Sequence, residues 1–156
     1  MKAIIIDDER LARQELKNLL ATYKDIEIIA ECADALQAKE KINELKPDII
    51  FCDIQMPAMT GISLVKSLQQ NTMVIFTTAF SEYAAVSYEL NAIDYLLKPI
   101  NQKRFTLAVT KAREYAYYLQ KKDPIADKHI FVRADFSLVK IPLAEILFIE
   151  GLADYL

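Results

Sequence analysis

Five residues stand where an apolar run gives way to a loop, and their types suit one chemistry. Asp7 and Asp8 close the run AIII, Asp53 closes IIFC, Thr78 closes MVIFT, and Lys98 follows IDYLL. If the first and third of these runs are neighbours, three carboxylates converge, and their repulsion is relieved by protonation or by a cation. Carboxylate and carbonyl oxygens with no His or Cys favour Mg²⁺, which keeps several waters and needs few protein ligands. A lysine and a hydroxyl opposite that metal describe a pocket for a tetrahedral anion. Phosphoryl chemistry follows: Asp53 can act as the nucleophile and form an aspartyl phosphate, while Mg²⁺ and Lys98 neutralise the equatorial oxygens. Each residue alone has a plainer use. Acids after a strand often cap the next helix, Asp53 could be a turn residue, Thr78 an edge hydroxyl, and Lys98 a solvated charge before Pro99. Their joint placement carries the chemical reading.

Placing these residues together requires a parallel sheet. Residues 3–7, 26–30, 49–52, 73–77 and 93–97 are strand-like runs. Between them, residues 10–23 space Leu11, Leu16, Leu19, Leu20 and Tyr23 as a helix does. Residues 34–45 form a second helix, with Asp34 as N-cap and Pro47 past its end. A short third helix carries Ile62, Leu64, Val65 and Leu68, and a fourth covers residues 82–90. Asn101 caps the longest helix, whose stripe is Phe105, Ala108, Val109, Ala112, Tyr115, Ala116 and Leu119. Near-continuously apolar strands alternating with helices give a doubly wound α/β domain, with ligands expected at the carboxyl ends of the strands. All five residues lie at that end.

Composition narrows the alternatives. The chain has 156 residues, 53% apolar and 26% charged, with a net charge of −3. That is one domain with an awkward remainder. Two glycines, Gly61 and Gly151, leave no room for a GxGxxG turn or a P-loop. A single histidine rules out a zinc cluster, and Cys32 and Cys52, in apolar runs without a secretory signal, read as buried thiols. No stretch approaches the roughly 18 apolar residues of a membrane span, so a cytoplasmic protein is expected. The mildly acidic balance offers no footprint for nucleic acid.

The segments IIIDDE, IIFCDIQMPAMTGI, VIFTTAF and DYLLKPI, in that order, make residues 1–121 resemble a CheY-like receiver domain of a two-component response regulator. The resemblance implies a flavodoxin-like sheet of order 2-1-3-4-5, and a phosphorylation switch rather than an enzyme. Asp53 would accept a phosphoryl group from a histidine kinase. Asp7, Asp8 and Asp53, with the backbone carbonyl of Gln55, would hold Mg²⁺. Thr78 would swing onto the phosphoryl group, Lys98 would pair with it, and Tyr95 would turn inward. The face made by the fourth helix, fifth strand and fifth helix would report the change, commonly by forming a homodimer. Gln55 and Phe80, each two residues past a site residue, would tune loss of the phosphoryl group. Because Phe80 cannot orient water, a long-lived phospho-form is expected.

After Lys121 the chain changes character. Residues 122–128 read as a polar linker, and runs at 129–133, 138–141 and 146–149 look antiparallel. The stretch HIFVRADFSLVKIPLAEILFIEGLADYL resembles the first strands of a LytTR-type DNA-binding domain of LytR/AlgR-like regulators. That resemblance implies transcriptional control in a full-length protein. Residues 129–156 are expected to be only the first part of such a domain, without DNA recognition of their own. His129, beside the linker, reads as a half-exposed strand residue. Two other functions remain: a stand-alone phospho-dependent docking module, and a Mg²⁺-dependent aspartyl-phosphate hydrolase of the haloacid dehalogenase type. The second lacks its proton shuttle, because Gln55 stands where that chemistry places an acid.

Overall fold

The structure is a computed structural model that describes residues 1–68, 72–80, 92–120, 129–134, 137–143 and 146. Five parallel strands, β1 (Lys2–Ile6), β2 (Glu27–Cys32), β3 (Ile49–Asp53), β4 (Met73–Thr78) and β5 (Asp94–Leu97), form one sheet in the order β2-β1-β3-β4-β5. Helices α1 (Arg10–Leu20), α2 (Ala35–Leu45), α3 (Gly61–Lys66) and α4 (Gln102–Gln120) connect or follow them. The helix expected at 82–90 lies outside the described residues, so the longest helix is α4. Residues 129–142 add a separate antiparallel hairpin, β6 (His129–Ala134) and β7 (Ser137–Pro142). The linker expected at 122–128 and most of the strand expected at 146–149 also fall outside.

Alternation along buried strands divides the core into two layers. Ala3, Ile5, Phe51 and Ile75 face α1 and α4, where they meet Leu16, Leu20, Phe105, Ala108 and Val109. Ile4, Ile6, Ile50 and Phe76 face the other way, against Ala35, Ala38, Ile42 and Leu64. The sheet is therefore covered on both faces, which is why β3 and β4 are buried at every position. Phe51 stacks on Phe105 with centroids 5.6 Å apart, tying the central strand to α4. Burial of such a side chain stabilises the fold by roughly 2 kcal/mol.

Local signals set the helix ends. Asp34 accepts from the Gln37 backbone N–H, and Asn101 accepts from Lys103 and Arg104, as expected of the two caps. Two apolar stripes are narrower than expected. Leu11 is 82% exposed and Leu119 57%. Ala12, Leu16 and Leu20 bury the face of α1, which turns Leu11 outward, and Leu119 lies past Tyr115 and Ala116, the last residues of α4 packed on the sheet core. Both cysteines are buried free thiols. Burial pushes the Cys32 thiol up to about 11 and Cys52 higher still, so neither is a ready nucleophile. No described helix is long and apolar enough to cross a membrane.

Candidate functional site

Parallel pairing puts β1, β3, β4 and β5 side by side with their carboxyl ends aligned. Asp53 lies in register with Thr77, and Thr78 with Leu97, the residue before Lys98. Asp7 is fully buried and Asp53 is 4% exposed. Lys98 reaches back from the end of β5, and its Nζ donates to Asp7 Oδ2 and to Asp53 Oδ1, each at 2.7 Å. Four of the five residues thus belong to adjoining strand ends, and one ammonium serves two carboxylates.

Electrostatics shows that this compensation is incomplete. Burial holds the Asp53 carboxyl above its ordinary range, against the opposing hydrogen bond and charge of Lys98, with the Asp7 charge adding to the rise. Burial alone would pull Lys98 down, yet its hydrogen bonds to Asp53 and Asp7 outweigh this and raise it. With both carboxylates ionised, the trio of Asp7, Asp53 and Lys98 carries one net negative charge.

Asp8 is exposed and lines an open cleft of about 500 Å³ together with Asp53, Gln55, Phe80 and Lys98. Among the described residues no three His, Cys, Asp or Glu side chains are already gathered around a metal position. The donor set nevertheless fits a hard divalent cation. It consists of carboxylates and carbonyls beside an under-compensated pair, while the Cys52 thiol is turned to the Asp53 carbonyl. Asp7, Asp8, Asp53 and the Gln55 carbonyl are the residues that would hold Mg²⁺, which supplies charge neutralisation for a phosphoryl group.

Thr78 is buried, and its hydroxyl accepts the Phe80 backbone N–H at 3.2 Å. The Tyr95 hydroxyl donates to the Phe80 carbonyl. Phe80 therefore joins Thr78 to Tyr95 through its main chain, besides lining the cleft with its ring. The Gln55 backbone N–H donates to the Asp53 carboxylate. Gly61 packs its Cα against the acceptor: a Cβ there would lie 2.0 Å from the Asp53 carbonyl oxygen.

Sequence reasoning missed Arg13 as a support of the acidic turn. Arg13 Nη1 donates to the carbonyls of Asp7 and Asp8 at 2.6 and 3.2 Å and so fixes the acidic turn. Neither acid caps α1; Glu9 occupies that position without a side-chain cap, and its N–H goes to Asp7. Arg10 and Arg13 both stand in the first turn of α1, where a cation opposes the helix dipole, so that position does not by itself pick out Arg13. Thr77, in register with Asp53, has a buried hydroxyl with no partner among the described residues.

The model for the response regulator receiver domain matches residues 3–110. The chain belongs to that family. Its receiver fold is also that of the response regulatory domain of mrkE from Klebsiella pneumoniae, 35% identical with a TM-score of 0.69 over 77% of this chain and all of that one. The receiver domain of AraT from Geobacillus stearothermophilus is 32% identical, with a TM-score of 0.71 over 77% of this chain and 98% of that one. Among curated relatives, an uncharacterised response regulatory protein of Vibrio cholerae is 47% identical over 71% of this chain and 48% of its own length. The transcriptional regulatory protein BtsR of Salmonella typhi is 44% identical over 73% and 48%. The chain spans about half the length of the curated relatives it matches.

Proposed function

We propose that the chain is the phosphoacceptor part of a cytoplasmic two-component response regulator. An Asp53 carboxylate oxygen attacks the phosphorus of a phosphohistidine on a histidine kinase. The P–N bond breaks, the imidazole leaves with that electron pair, and an aspartyl phosphate forms. The observation that carries this reading is the Asp53–Lys98–Asp7 arrangement at an open cleft. Lys98 is held where it can pair with an oxygen of the incoming group, and burial of the carboxylates excludes water from one side. Asp7, Asp8, Asp53 and the Gln55 carbonyl would hold Mg²⁺, which would supply positive charge against the phosphoryl oxygens.

In the phospho-form Thr78 turns its hydroxyl to the phosphoryl oxygen. It thereby leaves the Phe80 N–H, and Tyr95 loses its present setting. Hydrolysis returns Asp53 and inorganic phosphate, so the chain is a switch and not a turnover enzyme. The reporting face, with Leu97 and Leu107 exposed on β5 and α4, pairs with a second copy. In the full-length protein the hairpin β6–β7 opens a LytTR-type domain that binds DNA and controls transcription. The antiparallel hairpin and the BtsR-like relatives support that assignment.

The test is incubation with Mg²⁺ and acetyl phosphate, followed by intact mass and hydroxylamine treatment. One base-labile phosphoryl adduct is expected in the wild type and none in Asp53→Asn. An adduct that persists in Asp53→Asn, or none in the wild type, overturns the reading.

A further inference from the structure

Tyr95 sits on β5, an edge strand of the sheet, and both of its backbone polar groups are met from outside the ladder. Its N–H goes to Asp94 Oδ1 at 2.9 Å, and its carbonyl accepts from Arg104 Nη2 at 3.1 Å. Asp94 is 2% exposed and is gripped by the same guanidinium: Arg104 Nη1 lies 2.7 Å from Oδ2 and Nη2 lies 2.5 Å from Oδ1. Lys111, further along α4, adds an ion pair to Oδ2 at 3.3 Å. A two-pronged Arg–carboxylate pair fixes distance and plane together, which a lysine cannot do.

Buried ion pairs are weak evidence for stability, so the placement of this one calls for a more specific account. Asp94 and Arg104 close the edge groups of Tyr95, whose hydroxyl reaches the Phe80 carbonyl, while Phe80 N–H is held by Thr78. The backbone of Tyr95 is pinned on the α4 side while its ring is held from the Phe80 side. We infer that Arg104 is a positioning residue for the switch. By fixing the Tyr95 backbone through Asp94, it obliges any change at Thr78 to appear as a discrete reorientation of the Tyr95 side chain, and it ties that change to α4.

This inference rests on the phosphoacceptor reading above. Without Arg104, slack in the edge strand absorbs the change at Phe80, and Tyr95 samples its arrangements whether or not Asp53 is modified.

The experiment uses the whole chain labelled with 3-fluorotyrosine, with beryllofluoride and Mg²⁺ standing in for the phosphoryl group. ¹⁹F spectra are recorded, and the Tyr95 line is assigned by Tyr95→Phe. In the wild type the Tyr95 line moves on addition of beryllofluoride. In Arg104→Gln, beryllofluoride affinity is expected to stay within about threefold of wild type, while the Tyr95 shift between free and bound states falls at least twofold. Arg104→Lys, which keeps the charge but not the fork, restores less than half of the loss. Asp94→Asn, close in shape, carries the test if Arg104→Gln does not fold, and predicts the same reduced shift. A Tyr95 response equal to wild type in the folded variant overturns the role of Arg104, as does a Tyr95 line that never moves in wild type that binds beryllofluoride. Wild type that binds no beryllofluoride overturns the acceptor reading, and this inference with it.

Discussion

Asp7 and Asp53 share a single ammonium, with Lys98 Nζ 2.7 Å from an oxygen of each. Two buried carboxylates against one cation leave Asp53 above its ordinary titration range, chiefly through burial. A carboxyl raised on folding binds its proton more tightly in the folded state. Its favourable contribution is present below the unfolded value and is lost as pH rises through the folded one. Asp53→Asn, which leaves Lys98 paired with Asp7, is therefore expected to be more stable than wild type at pH 7. The gap should shrink as pH falls and close below the unfolded carboxyl range. Urea unfolding without divalent cations from pH 7 to pH 3.5 measures this; a gap that widens on acidification contradicts it.

Gly61 is required by contact and not by backbone angle. A methyl group there meets the Asp53 carbonyl at 2.0 Å and Cys52 Sγ at 2.8 Å, and the backbone cannot yield as a flexible side chain could. Gly61→Ala should cost about 2 kcal/mol, as overpacking does. By shifting the acceptor it should also slow acetyl-phosphate modification at least tenfold. A modification rate equal to wild type shows that the loop relaxes without moving Asp53.

The acceptor end of the fold was legible because its cues are local. Apolar runs ending in Asp7, Asp53, Thr78 and Lys98 declare the strand ends, and parallel pairing brings them together. β2 was less clear and runs on to Cys32, past the expected Ala30. It is an edge strand whose Glu31 leaves the core to meet Lys17 and Arg13 of α1, so no strong alternation marks its end. Arg13 and Arg104 were missed for the opposite reason. Arg13 acts through the Asp7 and Asp8 carbonyls and Arg104 through the Asp94 carboxylate and the Tyr95 carbonyl, contacts that exist only after α1 and α4 have docked. Each reads from sequence as one more basic residue on a solvated helix.

Among the described residues, two ordinary ones sit in the left-handed region: Lys46 at φ 46° beyond α2, and Ala58 at φ 65° in the loop after the acceptor. A side chain at positive φ costs about 1 kcal/mol relative to glycine. Lys46→Gly and Ala58→Gly should each stabilise by about 0.5–1 kcal/mol once the added freedom of the unfolded chain is counted. The two gains should add, because the positions lie in separate loops. Denaturant midpoints of the single and double variants check both statements.

Phe131 of β6 packs edge-on against two rings of α4, with centroids 5.8 Å from Tyr115 and 5.0 Å from Tyr118. Such pairs contribute about 0.5–1.5 kcal/mol each beyond the area they bury. Phe131→Ala should leave exchange protection in β1 and β3 unchanged and lower it at least tenfold in β6 and β7. Hydrogen exchange by mass spectrometry separates the two regions, and equal protection of the hairpin in both proteins would mean that it stands without α4.

Phe80 lines the cleft beside Asp53 and Gln55, and 43% of its surface is exposed. Its ring has no atom that could orient a water molecule for attack on an aspartyl phosphate, whereas Gln55, two residues past the acceptor, lines the same cleft with a side chain that can. A slow decay is expected for the wild-type phospho-form. Phe80→Glu should hasten it about tenfold by offering a carboxylate to an attacking water. The substitution keeps the backbone N–H and carbonyl that meet Thr78 and Tyr95, so the switch geometry need not change. Decay is followed after removing acetyl phosphate, with Gln55→Ala as the opposite control, expected to slow it further. An unchanged rate in Phe80→Glu assigns control of the water to the backbone around Asp53.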